Sequence, residues 1–134
     1  MEKDLELRTK KFSVQLIRHL SGLPRSLAND VISRQLLRSG TSVGANYREA
    51  NRAVSRADFA NKIGIVQKEA SEPSGTRQPA KQPEGQHRGC WQTQYWIELL
   101  QESGIDTSPA IVDLHREASE LLAIFTTIGR KLKE

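Results

Sequence analysis

The sequence predicts an all-α chain of four amphipathic helices, the third of them interrupted by a polar loop. Three observations lead there. Apolar residues recur at alternating steps of three and four over most of the chain, as one stripe of an α-helix requires. Helix-ending and helix-starting residues separate these periodic stretches. Finally, residues 73–92 carry three of the five prolines and three of the nine glycines and contain no Leu, Ile, Val or Phe.

The first helix is expected over about residues 4–21. Leu5, Phe12, Leu16 and Leu23 share a stripe, Ile17 and Leu20 widen it, and Gly22-Leu23-Pro24 closes it. The second is expected over about 25–54, on Ala28, Ile32, Leu36, Val43, Tyr47, Ala50 and Val54. It contains the small-residue run from Ser39 to Ala45, in which Gly40 and Gly44 cost about 1 kcal/mol each relative to Ala. The apolar phase is kept across that run, so one helix is predicted. Gly40 and Gly44 are candidate helix-packing positions, because their spacing lets a neighbouring helix approach closely, inside the subunit or between subunits. No Lys follows the second glycine and no strand precedes the run, so it does not make a phosphate-binding loop.

The third helix is expected over about 56–72 and again over 93–103. Phe59, Ile63, Val66 and Ala70 step by four, three and four, and Thr93, Ile97 and Leu100 continue by four and three. Deleting residues 73–92 joins KEASE to TQYWIELL in one unbroken stripe, so the segment reads as an insertion. Its prolines at 73, 79 and 83 favour loop or polyproline-like backbone. The fourth helix, about 109–133, follows Gly104 as a helix stop, Ser108 as an N-cap and Pro109 at the first helical position. Its stripe is Ile111, Leu114, Ala118, Leu121, Phe125, Ile128 and Leu132.

Composition agrees with a single modest domain. Leu, Ile, Val and Phe make up 32 of 134 residues, and the same 32 fall within the 114 that remain without the polar stretch. The formal charge is +4, of which the stretch supplies +2 through Arg77, Lys81 and Arg88 against Glu84. Neither a membrane span nor an apolar stretch behind the charged start is found, so a cytoplasmic protein without membrane association is expected. The single cysteine, Cys90, excludes an internal disulfide framework and a multi-cysteine zinc site.

Candidate functional residues are basic. Arg34 and Arg38 lie four apart, and Arg48, Arg52 and Arg56 fall at i, i+4 and i+8, so the second helix is expected to show rows of guanidinium groups. An anionic partner such as a phosphate backbone relieves their repulsion; pairing with Glu49, Asp58 or Glu69 on a solvated face does so too. Lys10, Lys11 and Arg18, with Arg8, make the first helix basic as well. Asn46 and Tyr47 suggest either a polar pocket or ordinary buried packing. His19, His87 and His115 have no ligand partner at metal spacing, and His87 with Cys90 falls short of a metal centre. With no catalytic pair or triad above chance, no enzyme, metal or cofactor is expected.

The run from Arg34 to Ala50, RQLLRSGTSVGANYREA, followed by Ser55-Arg56-Ala57-Asp58-Phe59 and Lys62-Ile63-Gly64-Ile65, resembles a family of small four-helix bundle proteins. They were first noticed as reading frames in intervening sequences of 23S ribosomal RNA genes. The resemblance extends to Asp4-Leu5, to Tyr95 through Leu100 and to Leu121 through Phe125, and leaves out residues 73–92. It implies an up-down-up-down bundle, assembly into ring-like homopentamers, and remote similarity to nucleic-acid-binding accessory proteins of reverse transcriptases. A non-enzymatic, RNA- or DNA-binding oligomer is therefore expected, with a structural scaffold, such as a reverse-transcriptase accessory subunit, as the alternative.

Overall fold

Residues 2–71 and 90–132 are described by a computed structural model, with side chains described for 4–63 and 92–132. Five helices and no strand are found among them: α1 (Glu2–Ser21), α2 (Leu27–Asn51), α3 (Arg56–Ser71), α4 (Cys90–Glu102) and α5 (Pro109–Leu132). Residues 73–89 of the expected insertion loop lie outside the described residues. Residues 90–92, expected in that loop, belong instead to the first turn of α4. Gly89 is the last helix breaker before TQYWIELL, and nothing in Cys90-Trp91-Gln92 prevents the helix from extending back to it.

Local chemistry fixes the helix ends. Ser26 caps α2 by accepting from the Asn29 N–H at 3.1 Å, so α2 begins two residues later than expected. It also ends earlier, at Asn51. The Arg52 N–H bonds to the Glu49 carbonyl, and Ser55 opens the next helix by accepting from the Asp58 N–H at 3.0 Å. A serine at an N-cap satisfies an orphan donor that would otherwise be lost, and this outweighs the apolar phase running on to Val54. That residue is 96% exposed. Ala28 is exposed as well, and Ile17 stands outside the core because it follows Leu16 by 100° around α1. At the other end of the chain, Gly104 takes φ 81° after α4, and Ser108 caps α5 through the Ile111 N–H at 3.3 Å.

Facing residues give each pair its direction. Across α1 and α2, a Cβ built on Gly40 meets Leu16 and Phe12, and one on Gly44 meets Thr9 at 3.2 Å, so the helices run antiparallel. Between α4 and α5, Gln94 reaches Ser119 at 2.7 Å and Glu98 reaches His115 at 2.8 Å, again antiparallel. Along α2, Lys62 of α3 pairs with Glu49 at 3.4 Å and Thr93 of α4 donates to Ser39 at 3.2 Å. Both α3 and α4 pack on α2 and on α5, while among the described residues α1 touches neither α3 nor α4.

The core lies between these helices. Phe12, Leu16, Leu36, Val43, Ile63, Ile97, Leu100, Ile111, Leu121 and Phe125 are each no more than 1% exposed. Tyr47 meets Phe125 edge-on, ring centres 5.4 Å apart, a geometry aromatic pairs favour. Burying one such large apolar side chain is worth roughly 1.5–3 kcal/mol.

Candidate nucleic-acid interface

Packing Gly40 and Gly44 against α1 turns the opposite faces of both helices outward, and there the charge is lopsided. From Leu7 to Arg48, 42 residues hold eight Lys or Arg and one acid, Asp30. The rest of the chain holds 12 Lys or Arg and 15 Asp or Glu. The stretch from Leu7 to Arg48 therefore carries +7 and the remainder −3.

Five of its cations, Lys10, Lys11, Arg18, Arg34 and Arg38, stand without an ion-pair partner among the described residues. All five are exposed. Around α2, Arg34 and Arg38 fall nearly opposite the buried Leu36, Val43 and Tyr47. On α1, Lys10, Lys11 and Arg18 share the outer face with Leu7, Val14 and Ile17, which are 65%, 39% and 46% exposed. An exposed basic surface of this kind attracts polyanions.

The expected Arg48–Arg52–Arg56 row does not exist on one helix. The chain turns after Asn51, leaving Arg52 as the C-cap and Arg56 as the first residue of α3. Arg48 is exposed but lies 3.6 Å from Glu6, and Arg52 donates to the Arg48 carbonyl at 3.2 Å. Arg56 is exposed at the start of α3.

Other charged groups hold the fold together. Arg8 grips Glu117 through two hydrogen bonds of 2.7 and 2.8 Å and Glu120 through a third of 2.6 Å. The bonds to Glu117 hold its pKa above the ordinary arginine value, against the opposing effect of burial. At the far end of α1, His19 Nε2 meets Asp106 at 2.5 Å, and Asp106 accepts from both the backbone N–H and the hydroxyl of Ser108 at 3.1 and 2.7 Å. Burial raises the Asp106 pKa, yet the hydrogen bonds from Ser108 and His19 win and the net shift is downward. The sequence reading missed both histidine–carboxylate pairs, because the partners lie 87 and 17 residues apart.

Of the pair considered at Asn46 and Tyr47, Tyr47 lines a cavity of about 680 Å³ together with Leu5, Phe59, Ile124 and Ile128, and Asn46 is not part of that lining. Among the described residues no group of three or more His, Cys, Asp or Glu could hold a metal, and no helix is long and apolar enough to cross a membrane. His87 lies outside the described residues, as does the Cys90 side chain.

Comparison with known proteins agrees with the helical architecture. A crystal structure of a protein of unknown function from the S23 ribosomal protein family of Bacteroides thetaiotaomicron VPI-5482 superposes with a TM-score of 0.73 at 29% identity. The match covers 96% of this chain and 97% of that one. No curated protein matches the chain. Residues 4–78, more than half of the chain, match the family model described as 23S rRNA-intervening sequence protein. The chain belongs to the 23S rRNA-intervening sequence protein family.

Proposed function

We propose that this protein is a non-enzymatic, cytoplasmic, oligomeric four-helix bundle that binds nucleic acid through the outer face of α1 and α2. The observation that carries the reading is the cluster of five exposed cations, without an ion-pair partner among the described residues, in a stretch with a single acid. RNA is placed before DNA on the ribosomal RNA context in the family's description. The bundle is read as up-down-up-down with α3 and α4 as two halves of its third helix. Register supports this: facing residue numbers on an antiparallel pair keep a constant sum. That sum is 111 at Lys62–Glu49 and 132 at Thr93–Ser39, a jump of 21 against the 20 residues of the polar stretch. A ring-like homopentamer is proposed from the family resemblance.

If all five cations reach phosphates, log K falls with log salt at a slope of about −4.5 on a duplex. Affinity then drops roughly 500-fold between 50 and 200 mM salt. The test is RNA binding across that range, with light-scattering mass recorded with and without RNA. The double variant Arg34→Ala/Arg38→Ala is expected to flatten the slope by about 1.8. Salt-independent binding, or none at low salt, refutes the reading. The exposed Leu7, Val14 and Ile17 favour a second reading, a scaffold for a protein such as a reverse transcriptase. A protein partner recovered after nuclease treatment supports that one instead.

A further inference from the structure

We infer that the α1–α2 face takes nucleic acid as a duplex, by its phosphates and without regard to base sequence. This rests on the nucleic-acid reading above and names its substrate class.

The first ground is what the face lacks. Proteins that hold single strands stack successive bases on aromatic side chains, each stacked base strengthening binding substantially. Apart from His19, which is engaged with Asp106 and 17% exposed, only two aromatic residues occur between Leu7 and Arg48, Phe12 and Tyr47, and they are 1% and 2% exposed. Both are committed to the core, Tyr47 against Phe125. The large apolar side chains that stand outward, Leu7, Val14, Ile17, Leu27 and Val31, are aliphatic. They offer no ring for a base to stack on, which leaves base contacts to the exposed Gln15 amide and the arginine guanidinium groups.

The second ground is rigidity. The five cations stand on two helices locked together by close packing at Gly40 and Gly44. Lys10 and Arg18 are about 12 Å apart along α1, and Arg34 and Arg38 about 6 Å apart along α2. Two fixed rows of charge suit phosphates already held in place. A duplex supplies them at high density, whereas a single strand must first be ordered.

The test measures binding of the full chain to one 24-nucleotide RNA as a single strand, as a duplex with its complement and as a scrambled duplex, alongside the DNA duplex of the same sequence. The duplex is expected to bind at least tenfold more tightly than its own strand, with scrambling changing affinity less than threefold. The RNA and DNA duplexes separate the two sources of the same phosphate lattice, and such a preference in either supports the inference. Single-strand binding equal to or tighter than duplex binding overturns it, as does sequence dependence. Binding to no nucleic acid at 50 mM salt overturns the nucleic-acid reading itself. A gain-of-function variant gives an independent check. Placing a ring on the face with Val14→Trp is expected to raise single-strand affinity roughly tenfold and leave duplex affinity within threefold. No gain for the single strand counts against the inference.

Discussion

Among the buried polar groups of the described residues, Asp106 is the one whose carboxylate is expected to be costly to remove. Asp106 is 4% exposed and takes hydrogen bonds from His19 and twice from Ser108, while its own N–H closes α4 on the Leu100 carbonyl at 3.0 Å. Each bond to a charged group is worth about 1.5–3 kcal/mol. The three share one acceptor, and the His19 side chain is 17% exposed, so water can replace part of the loss. Asp106→Ala is therefore expected to destabilise by about 3 kcal/mol. For a domain of this size that lowers Tm by roughly 9–15 °C. Asp106→Asn keeps the shape and one acceptor and is expected to lose about half as much. The pH dependence identifies the charge as the cause. Because the folded pKa lies below the ordinary 3.8, the stabilisation is complete above that value. It is lost as pH falls through the folded pKa. Thermal unfolding of wild type and Asp106→Asn, followed by circular dichroism from pH 7 to pH 3, should show a gap that narrows below about pH 4. Equal stability at pH 7, or a gap unchanged at pH 3, refutes the reasoning.

At the α1–α2 seam, an added methyl at Gly40 overlaps the fully buried Leu16, whereas at Gly44 it meets Thr9 at 3.2 Å. Overpacking costs about 1–3 kcal/mol and the gain in helix propensity returns about 1 kcal/mol; Gly40→Ala should therefore be the less stable variant in denaturant titration. Arg8→Met should cost about 1 kcal/mol after discounting for solvent screening, since the Arg8 side chain is 35% exposed. A double-mutant cycle with Glu117→Gln measures that coupling, which should not change between pH 6 and pH 9. Deleting residues 73–92 should raise Tm, because closing a loop of that length costs about 2.7 kcal/mol beyond a constant; a lower Tm would argue against α3 and α4 forming one helix.

Much of the architecture could be read from the apolar periodicity. Leu36, Val43, Tyr47 and Ala50 on α2, and Ile111 through Phe125 on α5, are the positions that periodicity placed inside. It failed where local hydrogen bonding decides instead. Val54 keeps the phase of α2, but the Ser55 cap begins a new helix there, and the predicted arginine row was cut by the same turn. Serine followed three residues later by aspartate was the available signal. The basic face was half legible. Its five exposed cations were visible as residues, but that they have no ion-pair partner among the described residues depends on where Glu6, Glu49 and Glu117 point, and only tertiary packing determines that. The Asp106 cluster joins side chains 87 residues apart and left no trace in local spacing.

The clamps on α1 also bear on the order of folding. Gly40 with Leu16, and Gln94 with Ser119, join neighbours in the chain, so the α1–α2 and α4–α5 hairpins close short loops. Arg8 with Glu117 and His19 with Asp106 span 109 and 87 residues and can form only after the two hairpins meet. Contacts that close the longest loops carry the largest entropic cost and tend to come late. Substitutions at Arg8 and Asp106 should therefore quicken unfolding and leave the refolding rate nearly unchanged. The two ends of α1 would then act as latches, setting how long the native bundle persists and not how fast it forms.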